Sequence, residues 1–122
     1  MTNQEINKAV ARNLGWTKIQ NKIRNGHKSD QLEGIRFYPG AQCPMFTDIP
    51  NYASDIKAAW EVVEWMQKNM PEEILRLECV GNEWNFGPTM ICGEEEFIAD
   101  STNGRADTAP MAICLAFLRQ EI

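Results

Sequence analysis

The residues that could do chemistry in this chain are few, and most stand in ordinary surroundings. His27 is the single histidine and lies in the polar stretch "RNGHKSD". A general base needs a positioned partner and a sheltered site, and a turn supplies neither, so His27 reads as an exposed turn residue. No serine stands in a G-x-S-x-G context that would make it a nucleophile. A glycosidase-like pair of carboxylates could be drawn from Glu78, Glu83 and the run Glu94, Glu95, Glu96, but acidic residues on the outer face of a strand are ordinary. No two of Cys43, Cys79, Cys92 and Cys114 are close enough for the C-x₂-C half of a zinc site. Cys79 and Cys114 sit inside apolar patterns and read as small buried hydrophobes. The expectation is a protein without catalytic residues, cofactor or metal.

Two other groups of residues could bind rather than react. "STNGRADTAP" leads directly into a helix start, where free N–H groups with Arg105 close by could hold an anion. Arg105 and Thr108, with Trp84 as an aromatic neighbour, are the candidate ligand-binding residues. Trp65, Tyr52 and Tyr38 are the candidate interaction surface, since exposed aromatic residues suit protein contacts. Within "PNYASDIKAAWEVVEWM" (50–66), Tyr52, Ser54 and Asp55 could mark a site, but helix capping accounts for the polar residues without a ligand.

The elements that must position these residues are legible from period and punctuation. "TNQE" is a capping box, with Thr2 and Glu5 satisfying each other's backbone N–H groups. It opens a helix over about residues 3–14, with Ile6, Ala9, Val10 and Leu14 on one face and Gly15 as the stop; Trp16 should fold back onto that face. "TKIQNKI" and "EGIRFYP" predict a hairpin separated by "RNGHKSDQL", which holds an Asn-Gly turn signal. "YPGAQCPMFTDIPN", with three prolines between Pro39 and Pro50, predicts loop.

From Ile56 a second helix is predicted, with Ile56, Ala59, Trp60, Val63 and Met66 as one buried stripe and Asn51 or Ser54 as its cap. Trp65, about 140° around that helix from Trp60, would reach a different surface. Pro71 ends the helix. The period then drops to two: "ILRLECV" is a half-buried strand, "GNE" a turn, and "WNF" a second strand broken by "GP". "TMICGEEEFIAD" is a third strand or two short ones kinked at Gly93, and "DSTNGRAD" a loop. The last helix starts at Asp107 or Thr108 with Pro110 in its first turn. Its apolar residues cover so much of its circumference that it must be largely buried.

One domain of 122 residues is long enough to form its own core. No run of about 18 apolar residues exists to span a membrane, and the N-terminus lacks an apolar signal region, which points to the cytoplasm. Charge is segregated. Residues 1–38 hold seven Lys/Arg against three Asp/Glu, and residues 39–122 hold five against fourteen. Net acidity disfavours nucleic acid as a partner. The order of elements, helices packed on a mainly antiparallel sheet, is α+β.

Three blocks, "INKAVARNLGW" (6–16), "PNYASDIKAAWEVVEWM" (50–66) and "ADTAPMAICLAFL" (106–118), together resemble the phage ABA sandwich domain family, small proteins encoded mostly by bacteriophages and prophages. The resemblance implies an α/β/α layered sandwich and carries no reaction with it. It also implies a basic residue soon after "AIC", whereas here the first is Arg119. Two functional readings follow. The first is a non-enzymatic phage-type accessory protein that self-associates, as a dimer, or binds a host or phage protein. The second is a binder of a nucleotide-like or anionic small molecule.

Overall fold

In the computed structural model, residues 2–36 and 45–120 are described. Each element begins and ends on a local signal. Helix α1 (Asn3–Asn13) opens on the expected capping box, with the Glu5 N–H donating to Thr2 Oγ1 at 3.1 Å and the Thr2 N–H to Glu5 Oε1 at 3.3 Å. It closes in a Schellman arrangement: the Gly15 N–H donates to Arg12 O and the Trp16 N–H to Ala11 O, with Gly15 at φ +100°. That turn lays Trp16 back into the core.

Strands β1 (Thr17–Arg24) and β2 (His27–Ile35) form the expected hairpin, pivoting on Asn25 and Gly26, both at positive φ as a tight type I′ turn requires. The turn is shorter than predicted, because His27 to Leu32 belong to β2 instead of to a loop. Strand β3 (Thr47–Asp48) then pairs with β2, so part of the proline-rich segment is strand; Tyr38 and Cys43 lie outside the described residues.

Helix α2 (Ile56–Asn69) is capped by Asp55 itself, whose carboxylate accepts from the Lys57 N–H at 3.0 Å, and not by Asn51 or Ser54. Its buried face is Ala59, Val62, Val63 and Met66, while Ile56 and Trp60 stand exposed. Both faces have helical period; packing against the rest of the chain selects between them. The second sheet consists of β4 (Leu75–Val80), β5 (Glu83–Cys92), β6 (Glu95–Ile98) and β7 (Gly104–Ala106), all antiparallel about β5. Gly81 and Gly93, each at positive φ, lead two-residue turns between β4 and β5 and between β5 and β6. Gly87 and Pro88 do not break β5. Pro88 sits where β6 gives way to β7, and its carbonyl accepts from the Ala99 N–H, so a missing donor there costs no ladder bond. The segment read as loop contains β7.

Helix α3 (Ala109–Arg119) is the wall on which the molecule is assembled. It touches α1, α2, β5 and β7 and buries Pro110, Ala112, Ile113, Cys114, Ala116 and Phe117. Strand β7 runs so close to it that a Cβ on Gly104 would lie 2.1 Å from Ala112 O and 2.4 Å from Ala116 N. Only glycine fits there. The result is the α+β sandwich expected, with three helices and two antiparallel sheets among the described residues. No helix among them is long and apolar enough to cross a membrane.

Candidate functional site

The register of β5 against β7 decides what becomes of the predicted ligand site. Trp84 lies opposite Ala106, Asn85 opposite Arg105, and Phe86 opposite Gly104. Directly opposed residues share a face and neighbours alternate. Because Gly104 faces α3, Trp84, Phe86 and Ala106 face the helices, and Trp84 packs on the edge of the core. Arg105 and Asn85 face the other way. Trp84 and Arg105 therefore do not converge on one ligand.

Arg105 and Thr108 do share a groove of about 510 Å³, with Glu83, Asp107 and Ser54. Thr108 is the N-cap of α3, and its side chain makes no capping bond. The carboxylates of Glu83 and Asp107 balance Arg105 there, which makes this groove a poor place for an anion. On its other side Arg105 lines a cleft of about 300 Å³ with Asp100, Asn103 and Arg119. Its Nη2 lies 3.2 Å from Asp100 Oδ1 and its Nε 4.0 Å from Glu83 Oε1.

Asn103 is the unusual member of that cleft. It is 3% exposed, and its carbonyl and side-chain oxygens accept from Arg119 Nη1 at 2.9 and 3.1 Å. The second of these bonds fixes which end of the side-chain amide is oxygen. The Nδ2 group is then buried without a partner, at a cost of roughly 1–3 kcal/mol. Arg119 also borders a hollow of about 780 Å³, beside Met70, Pro88, Met90 and Thr102. Nothing in the sequence distinguishes Asn103 from a loop asparagine or Arg119 from a helix-ending arginine that complements the dipole.

The residues of the predicted interaction surface part company, and Tyr38 lies outside the described residues. Tyr52 is fully buried, not exposed. Its hydroxyl accepts from Trp16 Nε1 at 3.2 Å and donates to Glu61 Oε2 at 3.5 Å. Glu61 in turn pairs with Arg36, whose guanidinium lies 5.7 Å from the centre of the Trp16 ring. Tyr52 thus joins α1, β2 and α2 from inside. Trp65 is half-buried, with its ring edge-on to Phe117 at 5.2 Å, whereas Trp60, read as core, is the tryptophan that stands in solvent.

The remaining reactive residues are scattered. His27 is exposed at the start of β2, and Glu94, Glu95 and Glu96 are exposed at the β5–β6 turn. Among the described residues no group of three His, Cys, Asp or Glu could hold a metal. Cys114 is buried as expected, and desolvation pushes its thiol up to about 12. Cys79, by contrast, is exposed near the end of an edge strand, with its Sγ 3.5 Å from Gly81 O. The alternating pattern gives out there: Leu75 and Leu77 pack against the core, and Cys79, next in the alternation, does not.

Large apolar side chains are exposed instead on the β5–β6 hairpin. Met90 and Phe97 oppose each other on one face, and Ile91 lies on the other, 73% exposed, with Ile74 of the preceding segment also open to solvent. No basic residue lies between Thr89 and Ile98, and the hairpin ends in Glu94, Glu95 and Glu96. The far end of the β1–β2 hairpin carries the opposite charge: Arg24 and Lys28 flank Ile23, which is 66% exposed. Neither these two basic residues nor the three glutamates make an ion pair with a described residue.

The family model described as phage ABA sandwich domain matches residues 8–118, nearly the whole chain, and the protein belongs to that family. No curated protein and no solved structure matches it.

Proposed function

We propose that this member of the phage ABA sandwich family is a non-enzymatic interaction protein that pairs with a second copy of itself. The observation that carries the reading is the complementarity of the two hairpins. One presents Ile23 among unpaired Arg24 and Lys28; the other presents Ile91, Met90 and Phe97 beside unpaired Glu94, Glu95 and Glu96. Exposed β-hairpins with large apolar residues are association surfaces unless something covers them. In a two-fold dimer the β1–β2 hairpin of each copy meets the β5–β6 hairpin of the other, so the contact is made twice.

The test is sedimentation of the wild type and of two charge-reversed variants, Arg24→Glu with Lys28→Glu, and Glu94→Lys with Glu95→Lys and Glu96→Lys. The wild type should sediment at twice 13.9 kDa and dissociate as salt is raised, because surface charge attraction is screened. Each variant alone should be monomeric, and an equimolar mixture should restore the dimer, since reversal on one partner complements reversal on the other. A wild type that stays monomeric at millimolar concentration sinks the reading, as does a dimer indifferent to both reversals. In the former case the same surface would be left to a host or phage protein.

A further inference from the structure

We infer that the cleft between Arg105 and Arg119 is a binding site for the phosphate of a small phosphate monoester. Three independent features of the cleft point to an oxyanion. Arg119 uses Nη1 on the two oxygens of Asn103, and its charge is opposed by no carboxylate among the described residues. Arg105 holds Asp100, whose side chain is 85% exposed, and the more distant Glu83, also exposed, so both pairs are weak and open to exchange. Asn103, buried on the wall of the same cleft, carries the amide N–H₂ group that lacks an acceptor. Two guanidiniums beside an unsatisfied donor match a ligand with several oxygens, and phosphate takes such bonds bidentately.

Asp100 marks where the first oxygen belongs, since one of its carboxylate oxygens already sits on Arg105 Nη2. A phosphate entering the cleft takes its place and adds bonds to Arg119 that Asp100 does not make. The cleft, of about 300 Å³, has room for a phosphate group. Arg119 is shared with the hollow of about 780 Å³, where Pro88, Met70 and Met90 offer apolar surface and Glu72 and Glu73 offer acceptors. Those glutamates repel further phosphates and favour a body with hydroxyl or amino donors. The ligand class is therefore a monoester with a compact polar-edged body, such as a nucleoside monophosphate, and not a polyphosphate.

Titration calorimetry on the whole chain with inorganic phosphate, adenosine, adenosine monophosphate and adenosine triphosphate tests this. The monophosphate should bind about tenfold tighter than inorganic phosphate, and adenosine should not bind. Asp100→Asn should tighten the monophosphate severalfold by removing the internal competitor, while Arg105→Gln, on an exposed strand position that folding does not need, should abolish the heat. Arg119→Gln should do the same, with circular dichroism showing whether the variant folds. Absence of binding to both the wild type and Asp100→Asn overturns the inference. So does binding that survives Arg105→Gln, or triphosphate bound more tightly than monophosphate.

Discussion

Two asparagines are buried among the described residues, Asn7 and Asn103, and they sit in opposite conditions. Asn7 Oδ1 accepts from the Ala53 N–H at 2.8 Å, tying α1 to the entry of α2. Around that entry, Trp16, Tyr52, Glu61 and Arg36 form a continuous chain of hydrogen bond, ion pair and cation–π contact. Asn103 lies beside Arg119 and Arg105 with half its amide unmatched and an arginine opposed by no acid. A buried polar group completed by its neighbours specifies packing. One left incomplete beside a cleft is a position where packing has been held short of its optimum, as at sites that bind. The first cluster is therefore read as structure and the second as a site.

Substitutions can break that contrast or sharpen it. The largest effect is expected from Tyr52→Ala, which empties a fully buried volume and leaves Trp16 Nε1 without its acceptor, while Glu61 keeps Arg36; a loss of about 3–5 kcal/mol in chemical denaturation is expected. Asn7→Ala should cost roughly 1–3 kcal/mol, because it leaves the buried Ala53 N–H without an acceptor.

Alkaline pH tests α3, the wall behind both clusters. The Cys114 thiol is raised from 9.0 to about 12 by burial, so the unfolded chain ionises first. Stability should be intact below about pH 9, fall by about 1.4 kcal/mol for each pH unit above it, and level off near pH 12; Cys114→Ala should remove that component of the slope. The smallest effect is expected from Asn103→Ala, below about 1 kcal/mol, since the loss of one side-chain acceptor for an exposed arginine, whose bond to the backbone carbonyl remains, is offset by removal of the orphaned donor. If Asn103→Ala proves as costly as Asn7→Ala, the second cluster is as structural as the first and the contrast fails.

The exposed aromatic residues show how far periodicity reaches. In α2 the spacing of Ile56, Ala59, Trp60 and Val63 is as helical as that of Ala59, Val62, Val63 and Met66, and the two stripes share residues. Choosing between them requires the partner, which is α3 with Phe117 waiting for Trp65. The same holds for Tyr52, which looks like a surface aromatic in a polar stretch until Trp16, 36 residues earlier, is placed against it. Strand β7 was hidden because three residues with glycine at their start carry almost no period; its evidence is the groove that only Gly104 fits.

From the sequence alone came what depends on neighbours a few residues apart: the capping box at Thr2 and Glu5, the stop at Gly15, the Asn25-Gly26 pivot, the end of α2 before Pro71, the strand alternation after it, and the burial of α3. These are short-range because backbone sterics and local hydrogen bonds set them. Tertiary structure alone decided which tryptophan of α2 is inside, which face of β7 Arg105 occupies, and that Arg105 and Arg119, 14 positions apart, open onto one cleft with Asn103 between them. Such choices depend on contacts between distant segments, and a helical or strand period is equally consistent with either side of its element until the partner surface is present.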